Sequence, residues 1–284
     1  MSNLTDRSFR VLPSSSGLAW LMQALRLLRA QAGRLLLIAM LMQLLLGLVQ
    51  VPLLGLLVVL AVPALSAGIL EAFHRVRDGG SANLGLLFLP LVSRSHIARF
   101  MALGAMVIVI SIVCISFVMG STTQIDEALL ARLQAGDMAA LEEIDPGFVT
   151  RLFAAFAISV AISGTLTFFS IPLVWFSNRP VALALGEGLK ALLLNWKPML
   201  IMGLGLMVVF LPLSLIIALV MPMALTEGPG GMVGMALLMV ALLLFQLLLF
   251  GTQYCSFADI YALGQPTAPE SADEPPGDDS QLLA

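Results

Sequence analysis

The 284 residues are 60% hydrophobic and only 11% charged, and their formal net charge at neutral pH is -3. Soluble domains carry roughly 25% charged residues, so this composition excludes an ordinary soluble fold. We predict an all-α polytopic membrane protein in which most side chains face lipid or other helices.

Apolar stretches long enough to cross a bilayer recur along the chain. A helix needs about 20 apolar residues to span a hydrocarbon core of roughly 30 Å. Residues 35–70 contain no charged side chain, and Gly47, Gln50 and Pro52 indicate a break that divides this stretch into two helices. One long kinked helix is the alternative. Six transmembrane helices fit best, over residues 33–50, 52–72, 98–120, 149–176, 198–223 and 231–260.

Lys and Arg fall mainly on one side of this six-span arrangement. Twelve of the fourteen lie before the first span, between the second and third, or between the fourth and fifth. Positive residues in short loops are retained on the cytoplasmic side. We therefore expect a bacterial inner-membrane protein with both termini in the cytoplasm, and an exported, acidic, helical loop over residues 121–147.

Three cytoplasmic segments, each directly before an odd-numbered span, are predicted to be interfacial helices. They cover residues 18–29, 84–96 and 181–196. In the first, one face carries leucines at helical spacing, namely Leu18, Leu21, Leu25 and Leu28. Trp20 is expected at headgroup depth beside them. In the third, the predicted apolar face carries Leu185, Leu189 and Leu192.

The order of elements suggests an internal repeat. An interfacial helix, a basic step and a two-span hairpin occur three times, although the residue identities between the three units are weak. This pattern predicts a pseudo-threefold bundle of two-span units.

Both ends of the chain are predicted to be disordered. Residues 1–16 form a polar N-terminus, and residues 264–284 form an acidic, proline-containing cytoplasmic tail with too little apolar content to fold. The six-helix membrane domain is expected between them, over residues 17–263.

No residue pattern indicates a reaction, a metal or a cofactor. The middles of the spans carry no ionisable side chain, which argues against an ion-coupled pathway. Cys114 and Cys255 are interpreted as inert buried thiols. Glu71 and His74 are one turn apart, but an ion pair between Glu71 and Arg75 is the more ordinary interpretation than half of a metal site.

Amides are the strongest polar groups in or near the spans: Gln43, Gln50, Gln246 and Gln253. They either line a polar pathway or form hydrogen bonds between helices, and we favour the second interpretation. Ser159 and Ser163, four residues apart in the fourth span, likewise suit close helix packing.

Short motifs suggest a family. They comprise Gly55, Pro63, Leu65, Ala67, Gly68, Asn195, and the residues of 251–254 and 259–261. Through them, residues 17–263 resemble uncharacterised six-helix inner-membrane proteins of proteobacteria, which are loosely similar to the membrane domain of some glycerophosphodiester phosphodiesterases. The resemblance implies a six-helix fold, and because the family has no assigned activity or catalytic residues, it implies no functional residue for this chain. The chain has no phosphodiesterase domain.

We therefore expect a non-catalytic integral membrane protein, a scaffold or accessory protein or one that interacts with lipid. Its expected partners are anionic headgroups and a membrane protein, with no cofactor and no nucleic acid. The expected headgroup contacts are Arg26, Arg29, Arg75, Arg77, Arg94 and Arg99. The alternative is a permease for an apolar or amphiphilic small molecule, with the amides and the serine-rich fourth span along its route.

Overall fold

The computed structural model describes residues 9–119, 132, 135, 146–225 and 228–263. Within these residues the chain contains no strand, and nine α-helices have described bounds. In chain order they are α1 (Ser16–Ala30), α2 (Ala32–Gly47), α3 (Pro52–Arg77), α4 (Gly85–Val92), α5 (Ile97–Met119), α6 (Pro146–Phe176), α7 (Val181–Leu194), α8 (Trp196–Ala224) and α9 (Pro229–Ile260).

Six of these helices are long and apolar enough to cross a membrane: α2, α3, α5, α6, α8 and α9. They coincide with the six predicted spans to within a few residues at each end, apart from α3, which runs on to Arg77. The sequence-based prediction of an all-α, six-helix membrane protein is therefore confirmed.

The first two spans are separate helices. A short 3-10 helix, Leu48–Gln50, follows α2, and Val51 then adopts an extended conformation with φ -91° and ψ 114°. Pro52 begins α3, where its missing N–H costs no helical hydrogen bond. A Cβ on Gly55 would lie 2.4 Å from the Val49 carbonyl oxygen, so only glycine fits beneath this turn.

The short helices α1, α4 and α7 gather at one end of the bundle, which we call the short-helix end. Two of them pack on the second long helix of the preceding pair, α4 on α3 and α7 on α6, and α1 packs on the last long helix, α9. Glycines allow this approach, because a Cβ on Gly68 would lie 2.5 Å from the Leu87 carbonyl oxygen and one on Gly251 would lie 3.0 Å from Ala24 Cβ. The pseudo-threefold repeat and the interfacial position of the short helices stay predictions.

The buried face of α1 matches the predicted leucine face only in part, because Leu21 and Leu28 are buried but Leu18 is not. Leu18 is 54% exposed, whereas Gly17 and Ala24 are buried against α8 and α9. Trp20 is fully buried, and its Nε1 donates to Asp259 Oδ2 at 2.9 Å. Trp20 is therefore covered by protein and not by lipid, and its predicted position at headgroup depth stays a prediction.

The small residues of α7 take the buried positions in the same way. Ala184, Gly188 and Ala191 are buried, while the predicted face of Leu185, Leu189 and Leu192 is only partly buried. The closest helix approaches at this end thus lie at small side chains, such as Gly17 and Gly188, with leucines packed beside them.

Part of the expected disordered N-terminus is tied to the bundle. Phe9 is buried against Tyr261, and the Arg10 amide donates to the Ile260 carbonyl oxygen at 2.8 Å. For residues 9–15 the prediction of disorder is therefore replaced by a bound segment. Residues 1–8, the tail over residues 264–284, and nearly all of the predicted exported loop over residues 121–147 lie outside the described residues.

The long helices do not pack evenly around the bundle. The helices α3, α6 and α9 contact one another, α5 packs on α3 and α6, and α2 packs on α3 and α9. Between α6 and α8 the described residues show no packing of comparable extent. This gap in the ring of helices positions the cavities described below.

Candidate functional site

A buried carboxylate organises one polar cluster at the short-helix end. Glu71 Oε1 accepts a hydrogen bond from Arg75 Nε at 2.9 Å, and Oε2 accepts one from Trp175 Nε1 at 3.0 Å. The predicted ion pair between Glu71 and Arg75 is present. The bond from Trp175 joins α3 to α6, and the two bonds together satisfy both carboxylate oxygens.

His74, on the next turn of α3, connects the same region to α9. Its Nδ1 lies 2.9 Å from the Tyr254 hydroxyl, and its Nε2 lies 3.5 Å from Asp78 Oδ2. The ring meets Phe176 edge to face. Glu71, His74 and their neighbours line a polar cleft of about 520 Å³. Among the described residues there is no group of three or more His, Cys, Asp or Glu side chains that could hold a metal ion.

The six arginines predicted to contact headgroups divide into two sets. Arg75 pairs with Glu71, Arg77 lies beside Tyr254, and the half-buried Arg99 donates to Asn178 O at 2.9 Å and to Asn178 Oδ1 at 2.6 Å. The second set is Arg26, Arg29 and Arg94, which we call the basic rim. These three side chains are exposed and form no hydrogen bond or ion pair with any described residue.

Asn195 is a structural residue that the predicted site did not include. Its fully buried amide accepts from the Leu12 amide at 2.9 Å and donates to the carbonyl oxygens of Arg10 and Ala191, each at 3.0 Å. It therefore fastens the N-terminal segment to the corner between α7 and α8. In the sequence it stands out as a polar residue directly before a span and as one of the residues that carry the family resemblance.

Three of the four predicted amides lie inside the helix bundle, and each forms a bond between helices. Gln43 Nε2 donates to Gln246 Oε1 at 2.8 Å, which joins α2 to α9. Gln253 Nε2 donates to the Phe168 carbonyl oxygen at 2.6 Å, which joins α9 to α6. Gln50 is instead exposed at the break between α2 and α3, away from the others.

The partner of Gln253 is explained by a proline. Phe168 lies four residues before Pro172, which has no N–H to donate to its carbonyl oxygen within α6. In a membrane such a carbonyl must find its donor elsewhere in the protein. Gln253 supplies that donor, so this amide replaces a helical hydrogen bond.

Two cavities flank the contact between α3 and α6 within the long helices. The α8-side cavity, of about 320 Å³, is lined from α3, α6, α8 and α9, and includes Gln246 and Gln253. The α5-side cavity, of about 310 Å³, is lined from α3, α5 and α6. Four residues line both cavities: Ser66, Gly164, Thr167 and Ile171.

The serines of α6 take part in helix packing and also line a cavity. Ser159 Oγ lies 2.8 Å from Ser111 Oγ of α5, so the prediction that it supports close helix packing is confirmed. Ser163 Oγ is buried and has no hydrogen-bond partner in the described structure. Both serines line the α5-side cavity. Ser66 and Ser111 also line it, although the sequence analysis did not select them.

The pKa of His96, which lies outside the spans, is clearly shifted. Burial, reinforced by the neighbouring Arg99, lowers the pKa of His96 below its usual value of 6.5. Its Nδ1 lies 2.8 Å from Ser93 Oγ and 2.9 Å from Ser95 Oγ, and its ring meets Trp175 edge to face. His96 is therefore held neutral against the indole of α6.

Comparison of the chain with protein-family models, curated proteins and solved structures found no match. The resemblance to six-helix proteobacterial proteins therefore stays an expectation. The chain is an integral membrane protein by the length and composition of its six apolar helices.

Proposed function

We propose that the protein is a non-catalytic inner-membrane protein that binds anionic lipid headgroups through its basic rim. The observation that carries this proposal is that Arg26, Arg29 and Arg94 are exposed and unpaired within the described structure. Arginines without an internal partner remain available to lipid phosphates. The proposal places the short-helix end on the cytoplasmic side of the membrane, where the distribution of Lys and Arg predicts it to lie.

The free energy of the proposed headgroup contact follows from the number of basic residues. Each basic residue near an anionic membrane surface contributes about 1 kcal/mol, so three contribute about 3 kcal/mol. That energy corresponds to roughly a hundredfold preference for anionic over zwitterionic lipid. Salt should weaken the preference, because exposed charges are screened over about 8 Å at physiological ionic strength.

The internal pairing of the other polar groups supports a binding role over a catalytic one. Glu71 is occupied by Arg75 and Trp175, and Arg99 is occupied by Asn178. A membrane-protein partner would fit the same proposal as a scaffold. The apolar side chains that α8 exposes along its length offer a surface for such a partner or for lipid.

Native mass spectrometry of protein released from its own membrane tests the proposal, since it records bound lipids, subunit number and bound proteins together. A variant with Arg26→Gln, Arg29→Gln and Arg94→Gln should lose most of its anionic lipid, by about tenfold or more. The matched control replaces the same three residues with Lys and should retain the lipid. Equal anionic lipid on the Gln and Lys variants would overturn the proposal.

A permease for an amphiphilic molecule is the second candidate. It is favoured by Gln246, Gln253 and Thr167, which line one cavity next to the gap between α6 and α8. A permease must move its substrate between the two leaflets. Proteoliposomes containing a lipid with a fluorescent headgroup, treated with an impermeant quencher, should then show protein-dependent loss of the inner-leaflet signal.

A further inference from the structure

We propose that the α8-side and α5-side cavities form one binding site for an uncharged amphiphile, an alkyl chain that carries hydroxyl or carbonyl oxygens. The ligand would enter sideways from the bilayer, between α6 and α8. This site lies inside the spans and does not depend on headgroup binding by the basic rim.

The size and depth of the cavities fit an alkyl chain. Their volumes of about 320 and 310 Å³ each reach the lower range of small-molecule pockets, roughly 300–1,000 Å³. Thr167, which lines both, lies nine residues before the end of α6 at Phe176, or about 14 Å along the helix axis. A molecule at this depth is surrounded by hydrocarbon and protein, so it must be largely apolar.

Unsatisfied hydrogen-bonding groups in the walls point to a polar atom on the ligand. Ser163 is only 7% exposed, and its Oγ has no partner in the described structure. Leaving a buried hydroxyl unsatisfied is costly. Hydroxyls in helices usually donate to the carbonyl oxygen four residues earlier, as Ser111 and Thr167 do here. Ser163 does not, although it lines the α5-side cavity.

Two further side chains in the walls have hydrogen-bonding groups without a partner among the described residues. Ser66 lines both cavities and forms no hydrogen bond with any described residue. Gln246 uses its Oε1 to accept from Gln43, which leaves its amide N–H groups without an acceptor in the part of the chain that the structure describes. Hydroxyl and amide donors on neighbouring helices therefore face the cavities, and a ligand with acceptor oxygens would satisfy them.

The walls also indicate that the ligand carries no charge. No Asp, Glu, Lys, Arg or His is among the described residues that line either cavity. A charged group at this depth is costly unless it is paired. Apart from its serines, threonines and glutamines, the lining consists of glycine, proline, aliphatic, aromatic and thioether side chains, which matches an alkyl chain.

Gly164 provides a way to close the site without disturbing the fold. It lines both cavities, and a Cβ added there would meet no atom within 4 Å. Gly203 of α8 is the matched control, because a Cβ there also meets nothing, yet Gly203 lines neither cavity. Gly164→Leu should fill the site, whereas Gly203→Leu should leave it open.

The test uses a monoacylglycerol with a photoactivatable group in its chain, reconstituted with the full-length protein. Labelling of α6 and α9 peptides, read by mass spectrometry, should saturate and be competed by unlabelled monoacylglycerol. Gly164→Leu should reduce the saturable labelling about tenfold or more, and Gly203→Leu should not change it. A fatty acid anion with the same chain should give no saturable labelling.

Ser163→Ala gives a second measurement if Gly164→Leu does not fold. The substitution breaks no hydrogen bond within the described protein, so folding should persist while the affinity for monoacylglycerol falls about threefold to tenfold. Labelling that never saturates, or that is unchanged in both Gly164→Leu and Ser163→Ala, would overturn the inference. The basic-rim Gln variant should label normally, so failure of headgroup binding and failure of this site are distinguishable.

Discussion

The short-helix end and the opposite half of the bundle are built on different principles. At the short-helix end, α3 is buried almost continuously from Ala64 to Phe73, and hydrogen bonds donated by Trp20 and Asn195 and accepted by Glu71 connect distant parts of the chain. In the opposite half, large apolar side chains such as Leu53, Phe117 and Leu219 are mostly exposed. One half is a packed protein core, and the other is a lipid-facing surface.

The difference shows what holds helices together in a bilayer. Lipid is as apolar as leucine, so apolar surface gives no net drive for association. Close backbone approach and hydrogen bonds remain, and both concentrate where glycines and polar residues occur. The short-helix end therefore positions the helices, and the opposite half is joined by other close approaches, such as that of Gly234 to Ala224.

The largest expected effect on stability comes from a steric clash at the short-helix end. Gly68→Ala places a Cβ 2.5 Å from the Leu87 carbonyl oxygen, so α4 must shift away from α3. Overpacking against backbone costs about 3 kcal/mol. The free energy of unfolding in detergent micelles should fall by that amount.

Gly203→Ala is the control for this substitution in the long helix α8. Its added Cβ meets nothing, so the free energy of unfolding should stay the same or rise by up to about 1 kcal/mol through helix propensity. Equal losses at Gly68 and Gly203 would show that the close approach of α4 to α3 is not what makes Gly68 sensitive to an added Cβ.

The helix pattern could be predicted from sequence because length and apolarity alone determine a membrane span. The break at Gly47, Gln50 and Pro52 was predictable for a related reason, since proline cannot continue a helix. The packing faces of α1 and α7 were predictable only in part, because leucine spacing marks an apolar stripe without showing whether lipid or protein covers it. Small residues such as Ala24 and Gly188 mark the buried faces, which only neighbouring helices reveal.

The candidate site was predictable only in part. Polar residues in apolar spans stand out, which is why the sequence alone identifies Gln246, Gln253 and Ser163. Their partners belong to distant segments: Gln246 meets Gln43, and Gln253 meets the carbonyl oxygen of Phe168. No local pattern encodes such pairs. The division of the arginines into paired and free sets likewise depends on residues that lie far apart in the chain.

A hydrogen bond within the spans gives the second, smaller effect. Gln253→Leu should lower the free energy of unfolding by about 1 kcal/mol, because the Phe168 carbonyl oxygen loses its donor. Pro172→Ala restores an N–H within α6 that can donate to the same oxygen. The cost of Gln253→Leu should therefore be smaller in the Pro172→Ala background, as a double-mutant cycle in micelles would measure.

Gln50→Leu is the matched control, since that amide is exposed and has no partner within the described residues. It should leave the unfolding free energy unchanged to within about 0.5 kcal/mol. If Gln253→Leu cost the same in the wild-type and Pro172→Ala backgrounds, the amide would not be replacing the missing helical bond.

The smallest expected effect is a pH dependence of stability that arises from His96. Because the pKa of His96 is lowered in the folded protein, the unfolded chain takes up the proton first as the pH falls below about 6.5. Stability should therefore decrease between that pH and the lower folded pKa, and level off beneath it.

The melting temperature of His96→Gln, which cannot titrate, should fall less than that of the wild type over this window. High salt should reduce the difference in melting temperature between the two proteins only slightly. Burial is the larger cause of the lowered pKa of His96, and the Arg99 charge, which salt screens, is the smaller. Parallel melting curves for the two proteins would mean that His96 titrates alike in both states, and that the contact with Trp175 does not require a neutral ring.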